Sequence, residues 1–224
     1  TRRGFGAIEC RERSQSIQEI RTQLAKYQGP RMDGVPSLSG AIFDVALKYA
    51  PNSALEAWKH GLGVLQNFRQ GSLGRNPGRG NRPGRSKWPE ADTIRSLTGD
   101  AHQNHAQRIV HVDKFPRAQF GLPIIVHFKD GPRKDARGNR MPAAADPADC
   151  TIKPTQFDRM ASPLIIRPIQ DGGNYRAMAL VLPLKMPPGG TIVVTDKGNF
   201  AAPHNVNSSE ARSITPLAGN QDPL

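Results

Sequence analysis

Residues 164–184 read Leu164-Ile165-Ile166-Arg167-Pro168-Ile169-Gln170-Asp171-Gly172-Gly173-Asn174-Tyr175-Arg176-Ala177-Met178-Ala179-Leu180-Val181-Leu182-Pro183-Leu184, and they decide the fold class. Two runs rich in branched and aromatic side chains flank Asp171-Gly172-Gly173-Asn174, a segment suited to a tight reversal. The pattern predicts a hairpin with strands at 164–169 and 175–184. Working outward, 120–128 reads as a strand around Leu122, Ile124, Ile125 and Val126. Another strand is expected at 191–195, after the turn Pro187-Pro188-Gly189-Gly190. The segment 130–154 reads as loop, and the chain beyond Asn199 as a polar, aperiodic tail.

The first half reads differently. Ser16 and Glu19 have capping-box spacing before a helix at 16–27, with Ile17, Ile20, Leu24 and Tyr27 on one face. A second helix is expected at 38–50, with Leu38, Ile42, Val45 and Tyr49 facing inward. A third starts at Ser53, again with a capping box to Glu56, and carries Leu55, Trp58, Leu62 and Leu65 on one stripe. Gly61 and Gly63 weaken it by ~1 kcal/mol each relative to Ala; they mark either a close backbone approach or a frayed helix. A short helix runs from Pro89 to near Gly99, with Glu90 and Asp92 suiting its positive start. Helices followed by an antiparallel sheet predict an α+β domain.

Segment 69–88 is the most unusual in composition. It holds Arg69, Arg75, Arg79, Arg82, Arg85 and Lys87 without one acidic residue, half of the chain's net charge of +12. Unpaired charges of this kind cannot enter a core, so the segment is either a solvated linker or a surface for a polyanion. Arginine forks match phosphate geometry, and Gly and Pro let the backbone follow an irregular strand. Trp88 either stacks on an unpaired base or anchors the next helix together with Ile94. Lys114 and Arg117 extend the same positive surface.

Several function classes are disfavoured. The glycines at 78, 80 and 84 miss the dinucleotide spacing, and 80–86 misses a phosphate loop by one spacer and its lysine; no strand leads into either. No cofactor is expected. The apolar run at 177–184 falls short of the ~18 residues of a membrane span, so no membrane partner is expected. Cys10 and Cys150 lie outside metal-ligand spacing and read as reduced thiols of a cytoplasmic protein. The chain starts at Thr1 and shows no secretory signal, which reads as a downstream piece of a longer protein. His102 and His105, with His111 nearby, lack the companions of a metal set. They keep one alternative open, metal-independent RNA cleavage by an imidazole pair.

Three segments together resemble a known family. Thr1-Arg2-Arg3-Gly4-Phe5-Gly6 is similar to the end of the Gly/Arg-rich signature loop of RAMP proteins (repeat-associated CRISPR proteins). Gly74-Arg75-Asn76-Pro77-Gly78, with Arg85-Ser86-Lys87-Trp88-Pro89-Glu90 downstream, resembles the first RAMP subunit of type III-B CRISPR (Cmr) complexes. So do Phe115-Pro116-Arg117-Ala118-Gln119-Phe120-Gly121-Leu122-Pro123 and Met160-Ala161-Ser162-Pro163-Leu164. The resemblance implies a modified ferredoxin-like, RRM-like RAMP domain at 37–199. Residues 1–12 would be the last strand of an upstream RAMP domain, 13–36 a helix and linker, and 200–224 a tail. It further implies a non-catalytic subunit that contacts the 3′ region of a guide RNA or target RNA, beside other Cmr RAMP subunits. By that resemblance Arg2, Arg3, Arg75, Arg85, Lys87 and Arg117 would face RNA, and the reading of the basic segment adds Arg79, Arg82 and Trp88.

Overall fold

The computed structural model describes residues 15–30, 35–107, 112–132, 137, 145–184 and 189–222. The chain divides into two compact units, Thr1–Gly71 with Ala161–Met186, and Ser72–Met160 with Pro187–Pro223. The span 37–199, expected to be one domain, is thus shared between two. Its basic segment begins at the boundary instead of forming a loop inside one core.

Among the described residues the first unit begins with helix α1 (Ile17–Lys26), capped as expected. The Ser16 side chain accepts from the Glu19 amide, and the Glu19 carboxylate accepts from the Ser16 amide at 2.7 Å. The helix expected at 38–50 is corrected: Ile42–Val45 is a strand, β1. Its β-branched and aromatic residues pair with a later strand, Ile42 opposite Val181 and Val45 opposite Met178. Such pairing supplies the backbone bonds that a helix would otherwise provide, so tertiary context overrides the four-residue spacing.

Helix α2 (Ala54–Gln70) follows. Its buried face is Ala57 and Gly61, while Leu55 is 53% exposed, so the expected stripe is rotated off the true contact. A Cβ on Gly61 would stand 2.7 Å from Ile166 Cγ2 and 3.1 Å from Ala177 Cβ, whereas one on Gly63 would meet nothing within 4 Å. Gly61 is therefore the close-approach glycine, and Gly63 has no such role.

The hairpin quoted at the outset is present. Its strands β4 (Leu164–Asp171) and β5 (Asn174–Val181) pair across Gly172, whose φ is 61°. The sheet order is β1-β5-β4, with both pairings antiparallel. The last strand thus lies between the two that precede it, and the connection between those outer, mutually parallel strands includes α2.

The second unit holds most of the deeply buried apolar side chains, among them Trp88, Ile94, Phe115, Ile152, Val193 and Ile214. Its sheet runs β2 (Ile124–Val126), β3 (Cys150–Pro154), β6 (Thr191–Thr195), β7 (Gly198–Ala201), in that spatial order and antiparallel throughout. β6 is as expected. The strand expected at 120–128 shrinks to 124–126, the span that pairs with β3, and Phe120 instead ends a 3-10 turn over Pro116–Phe120. β3 arises inside the segment read as loop, where Ile152 pairs with Ile124 on one side and Val193 on the other. A paired strand between two neighbours needs only one alternating run of this length.

Helix α3 (Glu90–Thr98) ends at Gly99, φ 69°, as its sequence implies. α4 (Gln103–Ala106) is one turn. The tail expected at 200–224 is instead part of this unit. Asn207 and Glu210 form a capping box for α5 (Ser208–Ser213), and Ala202, Val206, Ala211, Ile214 and Leu217 are buried. Mixed α+β with antiparallel sheets is therefore the architecture. Among the described residues no helix is long and apolar enough to cross a membrane.

Candidate nucleic-acid interface

The arginine-rich segment folds back on itself. Arg75 bridges to Ser86 and Arg79 to Arg82 in antiparallel fashion. The Asn76 amide donates to the Arg85 carbonyl and the Lys87 amide to the Gly74 carbonyl, each at 2.9 Å. Arg79 and Arg82 exchange both backbone bonds at 3.1 Å, closing an irregular hairpin around Gly80 and Asn81. The glycines have a steric purpose here. A Cβ on Gly84 would overlap the Asn76 carbonyl, and one on Gly78 would overlap that of Arg82.

This overturns the choice between solvated linker and waiting surface for part of the segment. Asp92, just beyond the run, neutralises Arg85 at its base, and backbone carbonyls take Arg75 and Lys87. Arg85 Nη2 reaches both Asp92 oxygens, at 2.8 and 2.7 Å, with the side chains 19% and 5% exposed. Arg75 Nη1 donates to the Gly84 carbonyl at 2.9 Å; burial and the nearby Arg117 charge lower its pKa. Lys87 Nζ donates to the Ser72 carbonyl at 2.7 Å. Only the tip, residues 76–83, is exposed throughout.

The sequence-predicted site residues therefore separate. Arg79 and Arg82 sit at the exposed tip, and Arg82 Nη1 lies 3.3 Å from Asp130 Oδ1. Arg75, Arg85 and Lys87 hold the hairpin's base. Arg117 is corrected as an outward residue: its backbone amide and Nε donate to the fully buried Glu90 at 2.7 and 3.0 Å. Trp88 is corrected as a base-stacking residue: it is 1% exposed and meets Phe120 edge-on at 6.3 Å. Arg2, Arg3 and His111 lie outside the described residues.

Behind the hairpin runs a buried charge network. Arg95 donates to Asp92 at 2.6 Å and to Asp146 through Nε at 2.9 Å and Nη2 at 2.8 Å. Asp146, 1% exposed, also accepts from the His102 amide at 3.0 Å and lies 2.8 Å from His105 Nδ1. Burial pushes the Asp146 carboxyl up, but Arg95, the His102 amide and His105 together hold it below the usual aspartate value. Burial likewise disfavours the Arg95 charge, and its two carboxylate partners outweigh that. Burial first, then the Asp196 and Asp149 charges, push the Cys150 thiol up to about 11, which makes it a poor nucleophile at neutral pH.

The histidine pair has a structural setting. A His102 ring nitrogen accepts from the Asn104 amide at 3.2 Å, and Arg95 Nη2 lies 3.2 Å from His105 Nδ1. His105, Asp130 and Asp146 could offer three ligand atoms within 4.8 Å of one another. Two guanidinium groups already engage those carboxylates, so a divalent cation there would face strong competition and repulsion.

Sequence reasoning missed Asp130, Asp146 and Arg95. Asp92 had a signal, since it follows Arg85 closely and opens a helix. Asp146 had none, because it meets Arg95 across a long separation in sequence. The comparisons with known proteins give no match: no family model fits the chain, and neither curated proteins nor solved structures yield a similar one.

Proposed function

We propose that the chain is a non-catalytic, cytoplasmic RNA-binding subunit of a type III-B CRISPR RNA-guided complex, with the hairpin tip touching guide or target RNA. The observation that carries RNA binding is the placement of Arg79 and Arg82. They occupy directly opposed positions on an exposed, glycine-bearing tip, while Arg75, Arg85 and Lys87 bond to Gly84, Asp92 and Ser72 at its base. Like charges directly opposed across a strand pair are destabilising; Asp130 offsets Arg82 in part, and phosphates of a bound strand relieve the rest. The net charge of +12 favours the same class of partner.

The β1-β5-β4 order supports the finer, ferredoxin-like reading. A strand, a helix and two strands, with the last strand inserted between the others, is the split β-α-β half of that fold. The second unit is then an elaboration between its helix and second strand, together with a segment after its third. Membership in the RAMP family rests on the motif resemblance.

The test is salt-titrated binding of a labelled single-stranded RNA. Each single-strand phosphate contact contributes ~0.7 to the slope of log K against log salt. An Arg79→Ala/Arg82→Ala variant should therefore lose about 1.4 units of slope. An unchanged slope removes the hairpin from the interface. RNA shortened in chelator by the wild type and left intact by His105→Ala would replace binding with catalysis.

A further inference from the structure

Lys129 carries no motif and follows a strand of the second unit, far in sequence from the basic hairpin. Its Nζ nevertheless donates to the carbonyl of Asn81, the residue between Gly80 and Arg82 at the tip. The next residue, Asp130, reaches Arg82 Nη1 at 3.3 and 3.4 Å. Adjacent side chains of one turn, closed by the Gly131 amide on the Phe128 carbonyl at 3.2 Å, thus dock on the hairpin's end.

We propose that Lys129 completes, with Arg79 and Arg82, a three-cation cradle for neighbouring backbone phosphates of a single-stranded RNA, one contact per cation. The inference rests on the reading of the hairpin as RNA-facing and adds a residue from outside it. Among the described residues the three cations have one carboxylate partner, Asp130 on Arg82, so there the tip keeps a positive excess. The Arg79 and Arg82 side chains leave opposed backbone positions with Cβ atoms about 5 Å apart, so both reach the backbone of one strand at neighbouring phosphates. Gly80, at φ 55°, has open space where a side chain would project, so the backbone can come close to the ligand. The Asn81 carbonyl fixes the lysine beside this opening without neutralising its charge. Lys129 is exposed, so its contribution is electrostatic and sensitive to salt.

The experiment measures binding of fluorescent oligouridylate by wild type, Lys129→Ala, Lys129→Arg and Arg79→Ala across a tenfold range of salt, with inorganic phosphate as a separate competitor. Lys129→Ala should lower the slope by ~0.7, so its affinity deficit is about fivefold larger at the low-salt end than at the high-salt end. Lys129→Arg should restore the slope. Millimolar inorganic phosphate should displace little oligonucleotide beyond its ionic-strength effect; strong displacement would assign the cradle to a free anion and overturn the choice of RNA. If Arg79→Ala loses slope and Lys129→Ala does not, the cradle is wrong while the hairpin reading stands. If neither variant loses slope, the hairpin reading itself fails. Weaker binding at an unchanged slope in Lys129→Ala would mean that the lysine only braces Asn81, which also overturns the proposal.

Discussion

Replacing Arg85 by Ala should destabilise the protein far more than replacing Arg79, although both are arginines of one basic segment. Arg85 Nη2 binds both oxygens of Asp92, whose side chain is 5% exposed. Removing one partner of a buried pair costs about 3–5 kcal/mol. Asp92 keeps its bond to Arg95 at 2.6 Å, which places the expected loss at the low end, about 3 kcal/mol. At ~2–4 °C per kcal/mol for a chain of this size, the thermal midpoint should fall by about 6–12 °C. Arg79→Ala removes an exposed side chain and should stay within about 0.5 kcal/mol. Thermal unfolding followed by circular dichroism, at fixed salt, measures both. Equal, small effects would show that the guanidinium of Arg85 is solvated and that the segment's charge is not absorbed by the fold.

Three further outcomes are expected. Gly61→Ala should destabilise by about 1–3 kcal/mol through the clash with Ile166, while Gly63→Ala, facing open space, should stabilise by up to ~1 kcal/mol; urea midpoints of the two variants decide it. The Asp146 carboxyl is held below its usual value, so its contribution is present above the unfolded aspartate pKa of ~3.9 and lost as pH falls through the lower folded value. Asp146→Asn should therefore be destabilised at neutral pH and converge on wild type in acid, as pH-dependent unfolding would record. Gly84→Ala should remove the two cross-strand bonds at the hairpin's base, Asn76 amide to Arg85 carbonyl and Lys87 amide to Gly74 carbonyl, about 1–3 kcal/mol, visible as lost amide protection at Asn76 and Lys87 without a change in the β4–β5 hairpin.

Local chemistry was legible wherever neighbours in sequence settle a structure. The Ser16–Glu19 cap, the Gly172 reversal, the Gly99 stop and β6 all depend on residues a few positions apart. β1 was not legible: Leu38, Ile42, Val45 and Tyr49 fit helical spacing, and only pairing with 178–181 selects a strand. The tail was misread for a related reason. Ala202, Val206, Ile214 and Leu217 are few and widely spaced, yet all are buried. In the candidate site, composition located the basic segment but could not divide its arginines. That division is made by Asp92 and the Gly84 carbonyl, which hold Arg85 and Arg75, while Asp130 and Glu90 take Arg82 and Arg117 through contacts remote in sequence. Trp88 was readable as an anchor because it directly precedes the buried face of α3.

Hydrogen exchange at the amides of residues 74–88 in the protein free of nucleic acid tests the central point, that this charged run is a folded element before any ligand arrives. Asn76, Arg79, Arg82 and Lys87, whose amides donate across the hairpin, should exchange well below unstructured rates, with Gly80 fast. Exchange of all of them at unstructured rates, with protection appearing only when RNA is added, would contradict it.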